Sequence, residues 1–294
     1  MSAVEFRHVD ILFPPADASR RRARAAMQSA LALLDTGASR GEIATRTGVI
    51  AGVCGANLAI ERGHISVLMG LSGSGKSTLL RAANGLNSVT RGEVLVSDGD
   101  AMVDVARCDS ATLRRVRRLR IAMVFQQFAL LPWRTVRENV GLGLELRGEP
   151  PDARARIVTE QLELVGLAQW ADRYCSELSG GMQQRVGLAR ALATNAEILL
   201  MDEPFSALDP LIRCKLQDEL LELQKRLHRT IVFVTHDLDE ALKIGDQVTI
   251  LEGGRIVQSG SPRQIVEQPA DEYVAEFVRH VNAGSLFKQD VHIA

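Results

Sequence analysis

A turn rich in glycine and serine, GLSGSGKST, is the first segment whose residue types indicate chemistry. From Gly70 to Ser77 it fits the pattern G-x-x-x-x-G-K-[ST], in which glycines let backbone N–H groups wrap around phosphate oxygens. In such a turn Lys76 reaches the β- and γ-phosphates, and the Ser77 hydroxyl is a ligand for Mg²⁺. The apolar run Ile65–Met69 before it predicts a buried strand and the following leucines a helix, a context that disfavours a chance glycine-rich turn. The candidate nucleotide-binding residues are Gly70, Ser72, Gly73, Ser74, Gly75, Lys76, Ser77 and Thr78.

Two adjacent carboxylates follow another apolar run. Residues 198–201 predict a buried strand that ends on Asp202 and Glu203. An acid at this position holds Mg²⁺ through its water shell, and we assign that role to Asp202. Because strand side chains alternate, we expect Glu203 to point differently and to orient or deprotonate an attacking water. The alternative is that both acids are merely solvated at the end of a strand. The presence of a phosphate turn in the same chain disfavours this alternative.

Single polar residues end two further apolar runs. His236 follows a strand predicted over 231–235, and Gln126 follows one predicted over 121–125. Parallel sheets bind ligands at the carboxyl ends of their strands, so His236 is placed to sense a γ-phosphate, although a lone histidine is more often structural. The amide of Gln126 is placed to touch both the metal and the attacking water. The candidate catalytic residues are thus Glu203, His236, Gln126 and Lys76, and the candidate metal ligands are Ser77, Gln126 and Asp202.

A second turn of small residues lies further along the chain, in YCSELSGGMQQR. Ser179, Gly180 and Gly181 close a loop, and a helix is predicted to begin near Met182. Free backbone N–H groups and the helix dipole converge at such a point, which makes it a second candidate site for a phosphate.

These motifs, in this order, resemble those of the nucleotide-binding subunits of ABC transporters. The second turn matches that family's signature, L-S-G-G-x-Q, at residues 178–183. The resemblance implies ATP and Mg²⁺ as cofactors, and a pair of chains packed head to tail. Ser179 and Gly181 of one chain would then contact the γ-phosphate held by Lys76 of the other. The residues that the resemblance assigns to this shared site are Ser179, Gly180, Gly181, Gln183 and Asp209.

The resemblance implies an α/β P-loop NTPase fold of the RecA-like kind. Its sheet is expected to be mostly parallel, with an antiparallel β part and an inserted α-helical subdomain. We expect residues 1–260 to form the nucleotide-binding domain, with the helical subdomain at about 138–190 and a short helical extension at 261–294. Within the subdomain, apolar spacing predicts a helix that starts at Pro151 and stops at Gly166.

An insert of roughly thirty-five residues, 14–47, departs from the usual pattern of the family. It is predicted to form a helix over 16–34 and a short helix opened by a capping box, Ser39-x-x-Glu42. Phe13, immediately before the insert, stands where an aromatic ring of the family stacks on adenine. The aliphatic alternatives for that contact are Val49 and Ile50.

Composition and charge argue against several classes of protein. The 294 residues have a net charge of -1, which provides no basic field for nucleic acid. The four cysteines include no C-x-x-C pair, which disfavours a zinc site or a disulfide framework. No stretch approaches the ~18 apolar residues of a membrane span, so any membrane-spanning part must come from a partner. The basic runs are predicted to be solvated faces; they are Arg20, Arg21, Arg22, Arg24 and residues 113–120.

The insert and several phrases narrow the resemblance to the ATPase subunits of importers for choline, glycine betaine and proline betaine. Two such phrases are FQQFALLPWRTVRENVGLGLELRG and MDEPFSALDPLIR. Many members of that subfamily end in paired regulatory domains, whereas only about thirty residues follow the last motif here. This difference favours choline over the betaines as the solute. An importer of another small solute and a soluble, non-transport ABC ATPase are the alternatives, while a P-loop kinase would lack the signature.

The resemblance also implies partners and a location. They are a second copy of the chain, a transmembrane permease and, indirectly, a substrate-binding protein, with no nucleic acid. The chain would lie peripherally at the cytoplasmic face of the inner membrane. Residues 126–139 are expected to face the permease, where Trp133 is either a contact residue or a buried one.

Overall fold

Ten β-strands and twelve α-helices make up the part of the chain that this computed structural model describes, residues 1–206 and 208–279. The strands are β1 (Ser2–Phe13), β2 (Ile50–Glu61), β3 (Ile65–Met69), β4 (Arg91–Asp98), β5 (Ala101–Asp104), β6 (Ile121–Val124), β7 (Ile198–Asp202), β8 (Thr230–Val234), β9 (Gln247–Glu252) and β10 (Arg255–Gly260). The helices are α1 (Arg20–Asp35), α2 (Arg40–Thr47), α3 (Lys76–Ala82), α4 (Ser110–Leu119), α5 (Val136–Val140), α6 (Leu142–Arg147), α7 (Pro151–Leu164), α8 (Gly180–Ala193), α9 (Pro210–Leu227), α10 (Leu238–Ile244), α11 (Pro262–Glu267) and α12 (Glu272–Val278). Two 3₁₀ helices, Ala168–Trp170 and Cys175–Glu177, lie between α7 and α8.

The apolar runs form a six-stranded sheet in the order β10-β9-β3-β8-β7-β6. Its neighbouring strands are parallel except for β9 and β10. Successive residues of β7 face different hydrophobic clusters, with Leu199 and Met201 in one and Ile198 and Leu200 in the other. A parallel sheet covered on both faces favours strands that are apolar at nearly every position, which explains the apolar runs in the sequence.

The polar segments predicted to meet follow neighbouring strands of this sheet. The phosphate turn follows β3, His236 follows β8, and Gln126 follows β6. Asp202 is the last residue of β7. Because β3, β8, β7 and β6 are adjacent and parallel, their carboxyl ends place all of these residues along one edge.

A second, four-stranded sheet has the order β2-β1-β4-β5 and is antiparallel throughout. Phe6 of β1 and Val94 of β4 share a buried cluster with Leu79 of α3 and Leu200 of β7. Helix α3 contacts strands of both sheets and so joins them. The predicted α/β fold, with a mostly parallel sheet and an antiparallel β part, is confirmed.

Helices α5 to α8 cover the other face of the parallel sheet. Val158 and Leu162 of α7 share the cluster that contains Met201. Helix α7 starts at Pro151, as predicted, and ends two residues before Gly166, whose φ of +68° takes the chain out of the helix. This region therefore packs on the sheet through an amphipathic face.

The two helices of the insert pack on β1 and β2. Leu34 of α1 and Ile43 of α2 share a third cluster with Val49 and Cys54. Helix α2 begins after Ser39, and the predicted capping box is present. The insert thus has a small hydrophobic core of its own against the antiparallel sheet.

The first helix of the insert starts later than predicted. The expected range was 16–34, whereas α1 covers Arg20–Asp35. The N–H of Ala18 donates to the Pro15 carbonyl (3.3 Å) to close a turn, and Ser19 has a non-helical ψ of 153°. Helical conformation therefore begins only after Ser19.

The two basic runs differ in their surroundings. The arginines at positions 20, 21, 22 and 24 are exposed on α1, as predicted. In the run 113–120, Arg115 is exposed as predicted, although it pairs with Asp98 at the end of β4. The prediction of a solvated face is wrong for Arg120, which is only 27% exposed and pairs with the same carboxylate. Arg117 donates to the Asn84 carbonyl (2.7 Å). These contacts fasten α4 to the rest of the chain.

The predicted C-terminal extension, 261–294, contains α11 and α12. Its residues 280–294 lie outside the described residues, as does residue 207. Across the described ranges, no helix combines the length and apolar character that a membrane crossing requires.

We expect Ile43→Ala to lower the free energy of unfolding by about 2–5 kcal/mol, because Ile43 is fully buried in the small core of the insert. Chemical denaturation of the two proteins measures the difference. Leu146→Ala, at an exposed position, is the control and should change the value by less than about 0.5 kcal/mol. Equal effects of the two substitutions would mean that the insert does not pack on the sheet as described.

Candidate functional site

The phosphate turn is built from backbone packed too closely for side chains. Gly70 (φ +144°) and Gly75 (φ +103°) both adopt conformations that favour glycine. A Cβ atom on Gly70 would lie 2.1 Å from the Leu251 carbonyl oxygen, and one on Gly75 would lie 2.5 Å from the Gly52 carbonyl oxygen. These two positions therefore accept only glycine, for the packing of the turn as well as for its chemistry.

Lys76 is the first residue of α3 and is only 5% exposed. Its Nζ donates to the carbonyl oxygens of Gly70 (2.9 Å) and Leu71 (3.0 Å). Burial lowers the pKa of Lys76, and the carboxylates of Glu203 and Asp202 oppose this by favouring the charged amine. The turn thus holds an ammonium group whose donors can pass from carbonyl to phosphate oxygens.

A cavity of about 710 Å³ opens over this turn. Its size suits a small molecule of the dimensions of a nucleotide. Arg40, Gly52 and Leu71 line it in addition to residues expected from the sequence. The predicted residues that it brings together are Phe13, Ser72, Gly73, Gly75, Lys76, Ser77, Thr78, Gln126, Glu203 and His236.

Glu203 lies between Gln126 and His236. Its Oε2 accepts a hydrogen bond from Gln126 Nε2 (3.3 Å) and lies 3.4 Å from His236 Nδ1. The Glu203 side chain is 18% exposed and that of His236 is 60% exposed. A carboxylate held by an amide and an imidazole at a cavity wall is placed to accept a proton from a water molecule.

The different directions of Asp202 and Glu203 have another cause than strand alternation. β7 ends at Asp202, and Glu203 has a φ of +46°, in the left-handed region. Its N–H donates to the Val234 carbonyl (3.1 Å), and its own carbonyl accepts from the Ser206 hydroxyl (3.1 Å). These bonds fix a tight turn in which the Glu203 side chain lines the cavity. Alternation along a strand, the reason predicted for its direction, is therefore wrong.

Asp202 is fully buried and paired with an arginine that the sequence did not point to. Its Oδ2 accepts from Arg81 Nε (3.0 Å) and Nη2 (2.8 Å). Its Oδ1 is buried and has no hydrogen-bond partner among the described residues. An unpaired carboxylate oxygen, with the Ser77 hydroxyl in the cavity wall, is the type of oxygen donor that Mg²⁺ prefers. These residues fit that metal.

Phe13 ends β1 at the mouth of the cavity and pairs with Ile50, the first residue of β2. Both are partly exposed, at 37% and 59%. A Cβ on Gly52 would lie 2.8 Å from the ring of Phe13, so the ring rests directly on backbone. Val49 is fully buried, which excludes it from a contact with a ligand here. Phe13 offers a flat face, with Ile50 beside it.

The signature turn contributes no described residue to the lining of this cavity. Ser179 is the N-cap of α8 and accepts the Met182 N–H (3.4 Å), so the helix begins at Gly180 instead of near Met182. Asp209 caps α9 in the same way, accepting the Ile212 N–H (3.0 Å). Ser179 and Gly180 are exposed. The predicted residues outside the lining are Gly70, Ser74, Asp202, Ser179, Gly180, Gly181, Gln183 and Asp209.

The residues around the cavity fall largely within one protein-family domain. The sequence model of the family described as ABC transporter matches residues 53–206, just over half of the chain. The chain belongs to this family. A second model, an AAA domain from a type IV toxin–antitoxin system, matches residues 171–242.

Several bacterial members of the ABC transporter family resemble this chain closely. The glycine betaine/proline betaine transport system ATP-binding protein ProV of Escherichia coli is 53% identical over 88% of this chain and 64% of its own length. The trimethylamine N-oxide transport system ATP-binding protein TmoW of Ruegeria pomeroyi is 49% identical, over 83% and 72%. The choline transport ATP-binding protein OpuBA of Bacillus subtilis is 45% identical, over 76% and 56%. The chain therefore spans less than two thirds of the length of ProV.

A solved ABC transporter structure has the same fold. The bacterial cassette MJ0796 is 30% identical to this chain, with a TM-score of 0.72 over 88% of this chain and 99% of its own. It was solved as a dimer, and also as a dimer in a post-hydrolysis state bound to ADP and Pi.

We expect Arg81→Ala to lower the free energy of unfolding by about 1–3 kcal/mol, because it leaves the buried Asp202 carboxylate unpaired while solvent screens the partly exposed guanidinium. Denaturation without nucleotide measures the change. Arg226→Ala is the control: it removes an exposed pair with Glu222 and should cost less than about 0.5 kcal/mol. An Arg81→Ala protein as stable as the control would contradict the pairing.

Proposed function

We propose that this chain is the ATP-hydrolysing subunit of an importer for a quaternary ammonium compound. The observation that carries the proposal is the meeting of Lys76, Glu203 and His236 around one cavity, in a chain of the ABC transporter family. ATP hydrolysis needs a cation for the phosphates, a group to activate water and a contact to the γ-phosphate, and these side chains supply them.

ATP binds with its phosphates on the turn and its adenine on Phe13. The N–H groups of the turn and the Lys76 ammonium receive the β- and γ-phosphates. Stacking on an aromatic ring adds about 1–3 kcal/mol for a base. The exposed face of Phe13 at the cavity mouth supports this placement.

Mg²⁺ would be held by the Ser77 hydroxyl, by Gln126 and, through its water shell, by Asp202. When bound, the metal would supply positive charge that stabilises the phosphate oxygens. The unpaired Oδ1 of Asp202 supports this assignment, because a buried carboxylate oxygen without a donor is costly unless a cation or water faces it. Arg81 holds the other oxygen and so orients the carboxylate.

Hydrolysis begins when Glu203 accepts a proton from the water that attacks the γ-phosphorus; the bond from this phosphorus to the bridging oxygen breaks, and ADP leaves. Gln126 and His236 both contact the same Glu203 oxygen and limit its movement. His236, more exposed than Glu203, contacts the γ-phosphate itself. Positioning of these three side chains, more than covalent chemistry, accounts for the rate in phosphoryl transfer.

The signature serves the ATP of a second copy of the chain, packed head to tail. Ser179 and Gly180 are exposed, and a Cβ on Gly180 meets no described atom within 4 Å, so the start of α8 has room for a partner's phosphate. Asp209, the exposed N-cap of α9, follows Leu208, whose side chain would lie 3.3 Å from a Cβ on Gly181. The dimeric structure of MJ0796 supports this arrangement.

A transmembrane permease and a substrate-binding protein complete the importer, and the chain lies peripherally at the cytoplasmic face of the inner membrane. The relatives' names, as ATP-binding proteins of transport systems, support such an assembly. Trp133 is 71% exposed, which rules out the buried alternative and suits a contact with the permease.

The transported solute belongs to the quaternary ammonium compounds. ProV is named for glycine betaine and proline betaine at 53% identity, and OpuBA for choline at 45%. A spermidine/putrescine relative from Oleidesulfovibrio alaskensis is also 45% identical. Identity therefore favours the betaines over choline within the class.

We expect Glu203→Gln to lower the rate of ATP hydrolysis by about 10²–10⁴-fold, because the amide cannot accept the proton. ATP affinity should change little, since Lys76 and Asp202 are intact. Turnover assays measure the rate of hydrolysis, and nucleotide titration measures the affinity for ATP. Size-exclusion chromatography with MgATP should show that the variant remains dimeric. Glu163→Gln, at an exposed position on α7, is the control. Normal turnover by Glu203→Gln would rule out its role as the base.

The same variant tests transport in cells. In a strain from which this chain has been deleted, the wild-type protein should restore uptake of radiolabelled glycine betaine or choline, and Glu203→Gln should not. If the purified wild-type protein hydrolyses ATP but does not restore uptake of either solute, the proposed substrate class is wrong and the proposed ATPase activity still stands.

We expect Ser179→Arg to abolish ATP-dependent dimerisation and hydrolysis, while each monomer still binds ATP. A bulky side chain at a turn made for close approach blocks the partner's phosphate. Nucleotide titration and size-exclusion chromatography separate the two effects. Ser110→Arg, at the exposed start of α4, is the control. If the Ser179→Arg monomer lost ATP binding, the signature would contact the ATP bound by its own chain, and the head-to-tail model would be wrong.

A mixture of two inactive variants sharpens this test. Ser179→Arg combined with Lys76→Ala gives a mixed dimer in which one composite site carries both defects and the other carries neither. That intact site should restore ATP-dependent dimers that neither variant forms alone. A mixture that remains monomeric would contradict the head-to-tail arrangement.

A further inference from the structure

The insert is anchored so that one of its arginines reaches the cavity. Helix α2 is fixed at its start by the Ser39–Glu42 capping box and in its middle by the fully buried Ile43. Arg40 precedes Ile43 by three positions and so lies on the same face of the helix. The face that docks on the antiparallel sheet therefore also carries Arg40 toward the phosphate turn.

Arg40 touches the phosphate turn directly. Its Nη1 donates to the Gly73 carbonyl oxygen (2.9 Å), and Arg40 lines the cavity. Its Cδ would lie 3.5 Å from a Cβ on Gly254, whose N–H donates to the Ser74 carbonyl (3.0 Å). The arginine stem thus rests on the backbone junction that supports the turn.

Arg40 adds positive charge to the lining of the cavity. Among the described lining residues, Arg40 and Lys76 are cationic at neutral pH, and Glu203 is anionic. A guanidinium has five N–H donors, and the Gly73 carbonyl occupies one of them. Its planar fork matches the geometry of phosphate oxygens. A polyphosphate in this cavity would meet a second cation supplied by the insert.

We infer that Arg40 binds the phosphate chain of the nucleotide, which makes the insert part of the nucleotide site. This inference rests on the proposed ATP binding. The competing role is purely structural, in which Arg40 only holds Gly73 in place. A structural role needs a hydrogen-bond donor, whereas a phosphate contact needs a charge.

The test compares Arg40→Ala, Arg40→Gln and Arg40→Lys by titration with MgATP and, in competition, with adenosine. Arg40→Ala and Arg40→Gln should raise the Kd for ATP about 10- to 100-fold, and Arg40→Lys less than about tenfold. The Kd for adenosine should change less than about twofold in all of them. Raising the salt from about 0.05 to 0.5 M should shrink the difference between wild type and Arg40→Ala, because salt screens charge.

Arg46→Ala, in the last turn of the same helix and exposed, is the matched control and should leave both affinities unchanged. Full ATP affinity in Arg40→Gln, an equal loss for ATP and adenosine, or a loss that salt does not alter would each overturn the inference. Failure of the proposed function looks different: wild-type protein would not bind ATP, or Lys76→Ala would bind it normally.

Discussion

The close packing of backbone around the phosphate turn is the constraint on which the rest of the site depends. Gly75 lies against the carbonyl of Gly52 in β2, with no space for a side chain between them. The N–H of Gly254 donates to the Ser74 carbonyl, and the Gly254 carbonyl accepts from Cys54 in β2. The turn between β9 and β10 is therefore bonded both to the phosphate turn and to the antiparallel sheet. Because the ring of Phe13 also lies against Gly52, the positions of the phosphate turn and of Phe13 are fixed together.

The buried charged groups of the site, Lys76 and Asp202, use only part of their hydrogen-bonding capacity within the described residues. Lys76 donates to carbonyl oxygens that are themselves part of the turn, and among the described residues no acid forms an ion pair with it. Asp202 has one oxygen on Arg81 and one without a partner among the residues that the structure describes. Such sites are poised for a charged ligand, because binding supplies partners that the folded chain alone does not.

The sequence was most informative where the structure is local. Ser39 and Glu42 form their capping box within four residues, and the apolar run Ile65–Met69 forms the strand that its composition indicates. The contacts that sequence reasoning missed join distant segments. Arg81 meets Asp202 across 121 positions, and Arg40 meets Gly73 across 33. No spacing rule links such pairs, and only the packing of strands and helices brings them together.

The insert enters and leaves the fold at two cross-strand neighbours, Phe13 and Ile50. These residues already pair as the end of an antiparallel hairpin, so the segment between them is topologically an enlarged hairpin loop. Closing a flexible loop between fixed ends costs only about 0.6 kcal/mol more for each doubling of its length. The hairpin tip can therefore carry additions of very different size without disturbing the sheet, and any module grafted there would stand beside the mouth of the nucleotide cavity.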